Sequence, residues 1–196
     1  MLRMLVTAIT GLALLGTVPV NAATADNSAR VAAARQVAGQ FVHRLGGALK
    51  HELRKGSPAG AIKVCSELAP SIAGELSRQN GWRVTRVGTR VRNPMLGMPD
   101  VWEQQALAHF AKRLAKGEKP GKMEYAAVVD EPDGKYFRYM KAIGVKPACL
   151  MCHGSAESIP DAIRTALDRR YPHDQARGYA VGDLRGAISI KEPLAR

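Results

Sequence analysis

The sequence predicts an α+β domain, an antiparallel sheet with helices on one face, and three observations carry that expectation. Apolar residues in the first third of the chain recur at helical spacing. Two alternating segments, "EYAAVV" and "KYFRYMKAI", flank the turn-forming "DEPDG" and read as a hairpin. A last alternating segment, "AISI", follows "GDLRG" near the end of the chain, so a late strand returns to a sheet begun earlier.

Ahead of the domain, Arg3 gives a positive start and "MLVTAITGLALLGTVPV" is an uncharged apolar run. The "VNA" that closes it has the small-residue spacing of an export cleavage site, so residues 1–22 are expected to be a signal peptide and 23–196 a single domain. The run falls short of the ~20 residues that span a bilayer and ends at Pro19, and no later segment is apolar enough to cross one. "ATADNSAR" reads as a short polar leader.

From about Ala29 to Lys55 the apolar positions Val31, Ala34, Val37, Ala38, Phe41, Val42, Leu45, Leu49 and Leu53 mark one buried helix face. "GSPAG" ends it, and Ser57 before Pro58 is a cap and first-turn residue for a second helix. Cys65, Leu68, Ile72 and Leu76 form a stripe on that helix, which Pro70 should kink or divide, and the stripe turns Cys65 inward. "GWRVTRVGTRVRNP" alternates like a strand, with Gly88 as a bend. Asp100 with Glu103 is a capping-box pattern for a third helix running to about Ala115, and "PDAIRTALDRRY" is a short fourth.

Between the hairpin and the last helix stands "ACLMCHG", with two of the three cysteines. Cys149-Leu-Met-Cys152-His153 matches the C-x-x-C-H attachment site of c-type haem. Two thiols one helical turn apart can each add to a porphyrin vinyl group, and the next residue sets an imidazole under the iron. Zinc is a rival, but neighbouring Cys152 and His153 would strain to reach one tetrahedral ion. A redox dithiol would want a βαβ setting, and a structural disulfide leaves His153 idle. Cys65 is then the odd cysteine in a compartment where thiols oxidise. Spacing leaves the second iron ligand open among Cys65, Met95, Met98, His43, His51, His109, His173 and no protein ligand at all. Arg83, Arg86, Arg90 and Arg92 are candidate partners for the propionates, Arg90 and Arg92 sharing a face.

The net charge of +12 points to an anionic surface or an acidic partner protein, and for an exported chain argues against nucleic acid.

Four blocks, "AIKVCSELAPSIAGEL", "GWRVTRVGTRVRNPMLGMPDVWEQQALAHF", "YFRYMKAIGVKPACLMCHG" and "GYAVGDLRGAISI", together resemble a family of exported single-haem c-type cytochromes with a PAS-like fold. That family, long catalogued as a domain of unknown function, also supplies the sensory part of membrane-bound signalling proteins. The resemblance implies a PAS-like antiparallel sheet with long N-terminal helices and one covalently bound haem. It implies axial ligation by His153 and Cys65, the cysteine of the "VC…AP" helix. The methionine-bearing loop "NPMLGMPD" departs from the smaller, more polar loop expected of the family.

A thiolate, a porphyrin dianion and ferric iron sum to zero charge, so such a site should have a low reduction potential. Two protein ligands leave no substrate position. The expected role is electron transfer or redox sensing in the periplasm rather than catalysis, with a haem-based gas sensor as the alternative and an enzyme only if the distal site is open.

Overall fold

A computed structural model describes residues 20–194, with side chains from Asp26 onward. The expected leader, residues 1–22, lies outside the described residues except for its last three.

Helix α1 runs over Val20–Arg54, and so begins well before the expected Ala29. "ATADNSAR" is helical rather than a loose polar leader. Its alanines favour helix, and Arg30 pairs with Asp26 one turn earlier at 3.1 Å. Ala34, Val37, Ala38 and Phe41 form the buried stripe, whereas Val42 is exposed.

Helix α2, Pro58–Lys63, starts where Ser57 Oγ accepts the Gly60 N–H at 3.1 Å. It passes into a π turn over Val64–Leu68 and continues as α3, Ala69–Asn80. Pro70 explains the π turn. It has no N–H to donate and its ring would strike the Ser66 carbonyl in a regular helix, so the preceding turn widens and the Ala69 N–H reaches back to the Val64 carbonyl. The extra residue rotates the expected stripe: Ile72 and Leu76 are buried, but Leu68 is exposed and Cys65 only half-buried.

Four strands, β1 (Arg83–Gly88), β2 (Glu124–Glu131), β3 (Gly134–Gly144) and β4 (Leu184–Pro193), form one antiparallel sheet in the order β1-β4-β3-β2. The hairpin falls where the turn residues put it, with Glu131 opposite Gly134. The first strand stops at Gly88 instead of continuing to residue 94, because residues 89–92 leave the sheet to bind the loop that precedes β4. β4 begins at Leu184, earlier than "AISI", and its Gly186 crosses β1 so closely that a Cβ there would lie 2.0 Å from the Val87 carbonyl oxygen. The irregularity in the sheet is at Ile143/Gly144.

Helices cover both faces of the sheet, not one. Val84, Phe137, Tyr139, Ile188 and Ile190 pack against α1 and α3. The alternate positions Val87, Met140, Ala142 and Ala187 pack against α5, Val101–Ala115. A single face would leave half of these apolar strand positions in water.

The start of α5 carries the expected capping box, and Arg138 of β3 lies beneath it. Its guanidinium reaches Asp100 at 2.6 Å, Glu131 at 2.8 Å and Glu103 at 3.6 Å, with the Trp102 ring 4.7 Å away.

Short α4 (Pro94–Gly97), α6 (Leu150–His153) and α7 (Asp161–Arg170) complete the fold. No helix of the described residues is long and apolar enough to cross a membrane.

Candidate functional site

The "ACLMCHG" segment folds as a 3₁₀ turn, Pro147–Cys149, followed at once by α6. Helical geometry turns the two cysteines toward different small clusters. Cys149 packs with Val145, Ala176 and Tyr179, and Cys152 with Ile62, Ile159, Ile163, Leu167 and Tyr171. Gly154 ends the turn because nothing larger fits: a Cβ would lie 2.5 Å from Ser158 Oγ and 2.7 Å from the Leu150 carbonyl oxygen.

His153 is half-buried, and its Nδ1 lies 2.7 Å from the Ala176 carbonyl oxygen. A carbonyl can only accept, so Nδ1 carries the proton and Nε2 keeps its lone pair. Burial pushes the imidazole down to about 2, and the guanidiniums of Arg92, Arg185 and Arg86 push in the same direction against the Ala176 bond. The ring is thus held neutral, in one tautomer, with Tyr179 edge-on at 6.1 Å.

The support for this arrangement comes from the loop between α7 and β4. Tyr179 N–H donates to the His153 carbonyl at 2.9 Å and Gly178 N–H to the Gly154 carbonyl at 2.7 Å. Arg92 and Asp174 form a buried ion pair at 3.1 Å, and Asp174 also accepts the Ala176 N–H at 2.8 Å. Arg92 donates to the carbonyls of Cys152 and Ala176 as well. One guanidinium therefore fixes both the motif and the carbonyl that orients its histidine.

Of the side chains that spacing left open as second ligands, Met95, Met98, His43, His51, His109 and His173 are all exposed, Met95 by 89 %. Cys65 is the half-buried one. It sits on the π turn, close enough to Cys152 and Tyr171 to act on both: burial raises the Cys152 thiol, with Cys65 and Cys149 adding to the effect and Arg92 opposing it. The π turn thus brings the Cys65 thiol to the Cys152 side of the motif, while Cys149 packs on the other side and the loop before β4 supplies the carbonyl that orients His153. Among the described residues no three His, Cys, Asp or Glu side chains are grouped to hold a bare metal ion. An open cavity of about 470 Å³ lies beside the π turn, lined by Glu52, Lys63, Glu67 and Leu68 among others, but none of Cys149, Cys152 and His153 borders it.

The arginines divide differently from the sequence pattern. Arg92 is committed to Asp174, and Arg90 to the carbonyls of Arg177 and Gly178, with its guanidinium 3.9 Å over the Tyr179 ring. Arg83 is on the α5 side of the sheet, where its charge acts on Asp100. Arg86 remains, and Arg185 joins it. Sequence reasoning missed Arg185 together with Asp174, Ala176 and Tyr179. Ala176 acts through its backbone carbonyl, which no side-chain pattern reveals, and Arg185 stood in what read as a turn.

A family model described as Tll0287-like matches residues 20–193. Among solved structures, the crystal structure of the cyanobacterial heme-protein Tll0287 matches with a TM-score of 0.61 at 25% identity, covering 88% of this chain and 97% of that one. No curated protein matches the chain.

Proposed function

The chain belongs to the Tll0287-like family, and from that premise we propose that it is an exported single-haem c-type cytochrome of the periplasm, serving electron transfer or redox sensing. Cys149 and Cys152 would hold the haem through thioethers, with His153 and Cys65 as its axial ligands. The solved relative is titled a heme-protein, and the four-stranded antiparallel sheet with helices on both faces is compatible with a PAS-like fold.

His153 carries the assignment. Its Nδ1–H is spent on the Ala176 carbonyl and protonation is suppressed, so Nε2 is left as the basic, oriented nitrogen that an iron requires. The donor set fits the group: two thiols in apolar surroundings, a neutral imidazole and a third thiol on the π turn. Bound haem supplies one-electron redox chemistry. The chain's own residues fix the imidazole, exclude water on the Ile159–Ile163–Leu167 side, and set Cys65 where its charge acts on Cys152. The strongly basic chain, formally +12 and one less without Arg3, suits an acidic redox protein as partner.

The test is the absorption spectrum of protein matured with haem, oxidised and reduced, beside that of Cys65→Ser. The parent should be six-coordinate and low-spin with a low midpoint potential. The variant should lose the thiolate signature and rise in potential. A colourless parent would end the proposal, and a Cys65→Ser spectrum identical to the parent's would remove Cys65 from the iron. Nitric oxide or carbon monoxide binding to the reduced parent would favour ligand sensing over electron transfer.

A further inference from the structure

Arg86 and Arg185 are the two guanidiniums at the site that the fold leaves with neither a paired carboxylate nor a pair of carbonyl acceptors. Every other arginine beside the motif is committed: Arg92 to Asp174, Arg177 to Asp168 and Asp174, and Arg90 to two carbonyls. Among the described residues, neither Arg86 nor Arg185 has an acidic partner. Arg185 is held by a bond from Nη1 to the Arg90 carbonyl at 3.1 Å and lies 5.4 Å from the Tyr179 ring. These contacts orient the guanidinium but do not neutralise it. Burial leads in pushing it down to about 10, and the like charges of Arg86 and Arg92 add to this against the opposing influence of Tyr179 and Asp174. Keeping the Arg185 cation where burial disfavours its charge, with Arg86 as a second cation beside it, is costly unless something anionic arrives there.

Gly88 belongs to the same arrangement. A Cβ at that position would lie 2.8 Å from Arg185 Nη1, so the absence of a side chain leaves the guanidinium its room. Arg86 is on the α1 side of the sheet, two residues before Gly88 on β1, and Arg185 is on β4, the strand paired with β1. Arg185 lies 5.4 Å from the Tyr179 ring, which itself stands edge-on to His153 at 6.1 Å, so the pair is next to the motif histidine.

Resting on the haem reading above, we infer that Arg86 and Arg185 form the clamp for the two haem propionates. The charges match: two carboxylates, each an acceptor for a forked guanidinium, meet two guanidiniums that lack one. With a thiolate on ferric iron the metal centre is itself neutral, so the propionates are the charge left to balance. The clamp also orients the porphyrin about the axis between its ligands, which the thioethers alone fix at one edge.

The experiment uses the haem-loaded protein and reads the propionate-bending bands by resonance Raman together with the midpoint potential. Arg86→Gln and Arg185→Gln should each shift the propionate-bending bands and lower the potential, and the double variant should do both more strongly. Arg86→Lys and Arg185→Lys keep the charge without the fork. They should fold, hold the potential near the parent's and still shift the bands. Arg164→Gln, which removes an exposed pair with Asp161 on α7, should change neither. Parental bands in both the Lys and the Gln variants would overturn the clamp while leaving the haem reading intact. Added inorganic phosphate that reproduces the variant bands in the parent would overturn it too, by revealing an exchangeable anion site. A parent with no haem at all would overturn both.

Discussion

Arg138 and Arg185 stand on adjacent strands of one sheet, and the protein treats their charges in opposite ways. Around Arg138 it gathers Asp100, Glu103 and Glu131, with Lys191 sharing Glu131. Around Arg185 it offers a carbonyl, an aromatic ring, other arginines and only the unpaired influence of Asp174, which is bound to Arg92 and Arg177. A buried ion pair serves a structure when its partners belong to the chain, because removing one partner exposes the full desolvation cost of the other. A half-buried cation such as Arg185, with no carboxylate paired to it, is left for a group outside the chain to neutralise. Its placement beside a neutral, oriented histidine is what a site looks like when an anionic group completes it.

The sharpest break in this comparison is at the cysteines. Cys149→Ala/Cys152→Ala should abolish haem retention through denaturing electrophoresis and leave the arginine pair uncompensated. Burial of the porphyrin contributes at most on the order of 10 kcal/mol at about 25 cal/mol per Å², so the double variant should also accumulate poorly. Normal yield and melting without haem would refute the dependence.

Next in size is Arg138→Met. It strands Glu103 and its acidic neighbours, and should lower unfolding free energy by about 3–5 kcal/mol in chemical denaturation, with the spectrum of the loaded protein unchanged. A changed spectrum would mean that the two regions are not separate.

Asp174→Asn keeps the shape but removes the charge that Arg92 and Arg177 both bind. Loss of charged hydrogen bonds costs about 1.5–3 kcal/mol. Unlike Arg138→Met it should also perturb the haem spectrum, since the Ala176 carbonyl that orients His153 is tethered through the same carboxylate.

The smallest effect is an acid limb away from both arginines, at the pair of Glu124 with Arg35 of α1. The bond from Arg35, aided by Tyr139, holds the Glu124 carboxyl down to about 2 from an ordinary 4.5. Its folded value lies below its unfolded one, so its stabilisation is complete above pH 4.5 and is lost as pH falls toward 2. Glu124→Gln should flatten the fall in stability across that window, measured by denaturation at several pH values.

Much of this was legible before folding. The hairpin, the capping box at Asp100, the cap at Ser57 and the final strand are local, each set by residues within a few positions of one another. The motif was legible for the same reason. What escaped were effects of partners distant in sequence. Whether β1 runs on past Gly88 depends on Tyr179, ninety residues later, and the second covered face of the sheet depends on where α5 returns. Pro70 was read correctly as a disruption of its helix, but its form, a π turn that rotates Cys65 out of the buried stripe, depends on how the helix keeps its remaining hydrogen bonds.

By itself the sequence determined the residue types and their near spacing: two thiols and an imidazole within about one turn, a proline five residues beyond a third cysteine, four arginines within ten residues. Short-range covalent geometry fixes those relations in any fold. Tertiary structure decided which tautomer His153 holds, which six alternative ligands stay in solvent, and which arginines are neutralised. Desolvation and charge pairing depend on neighbours in space, and the chain order does not contain them until the sheet has closed.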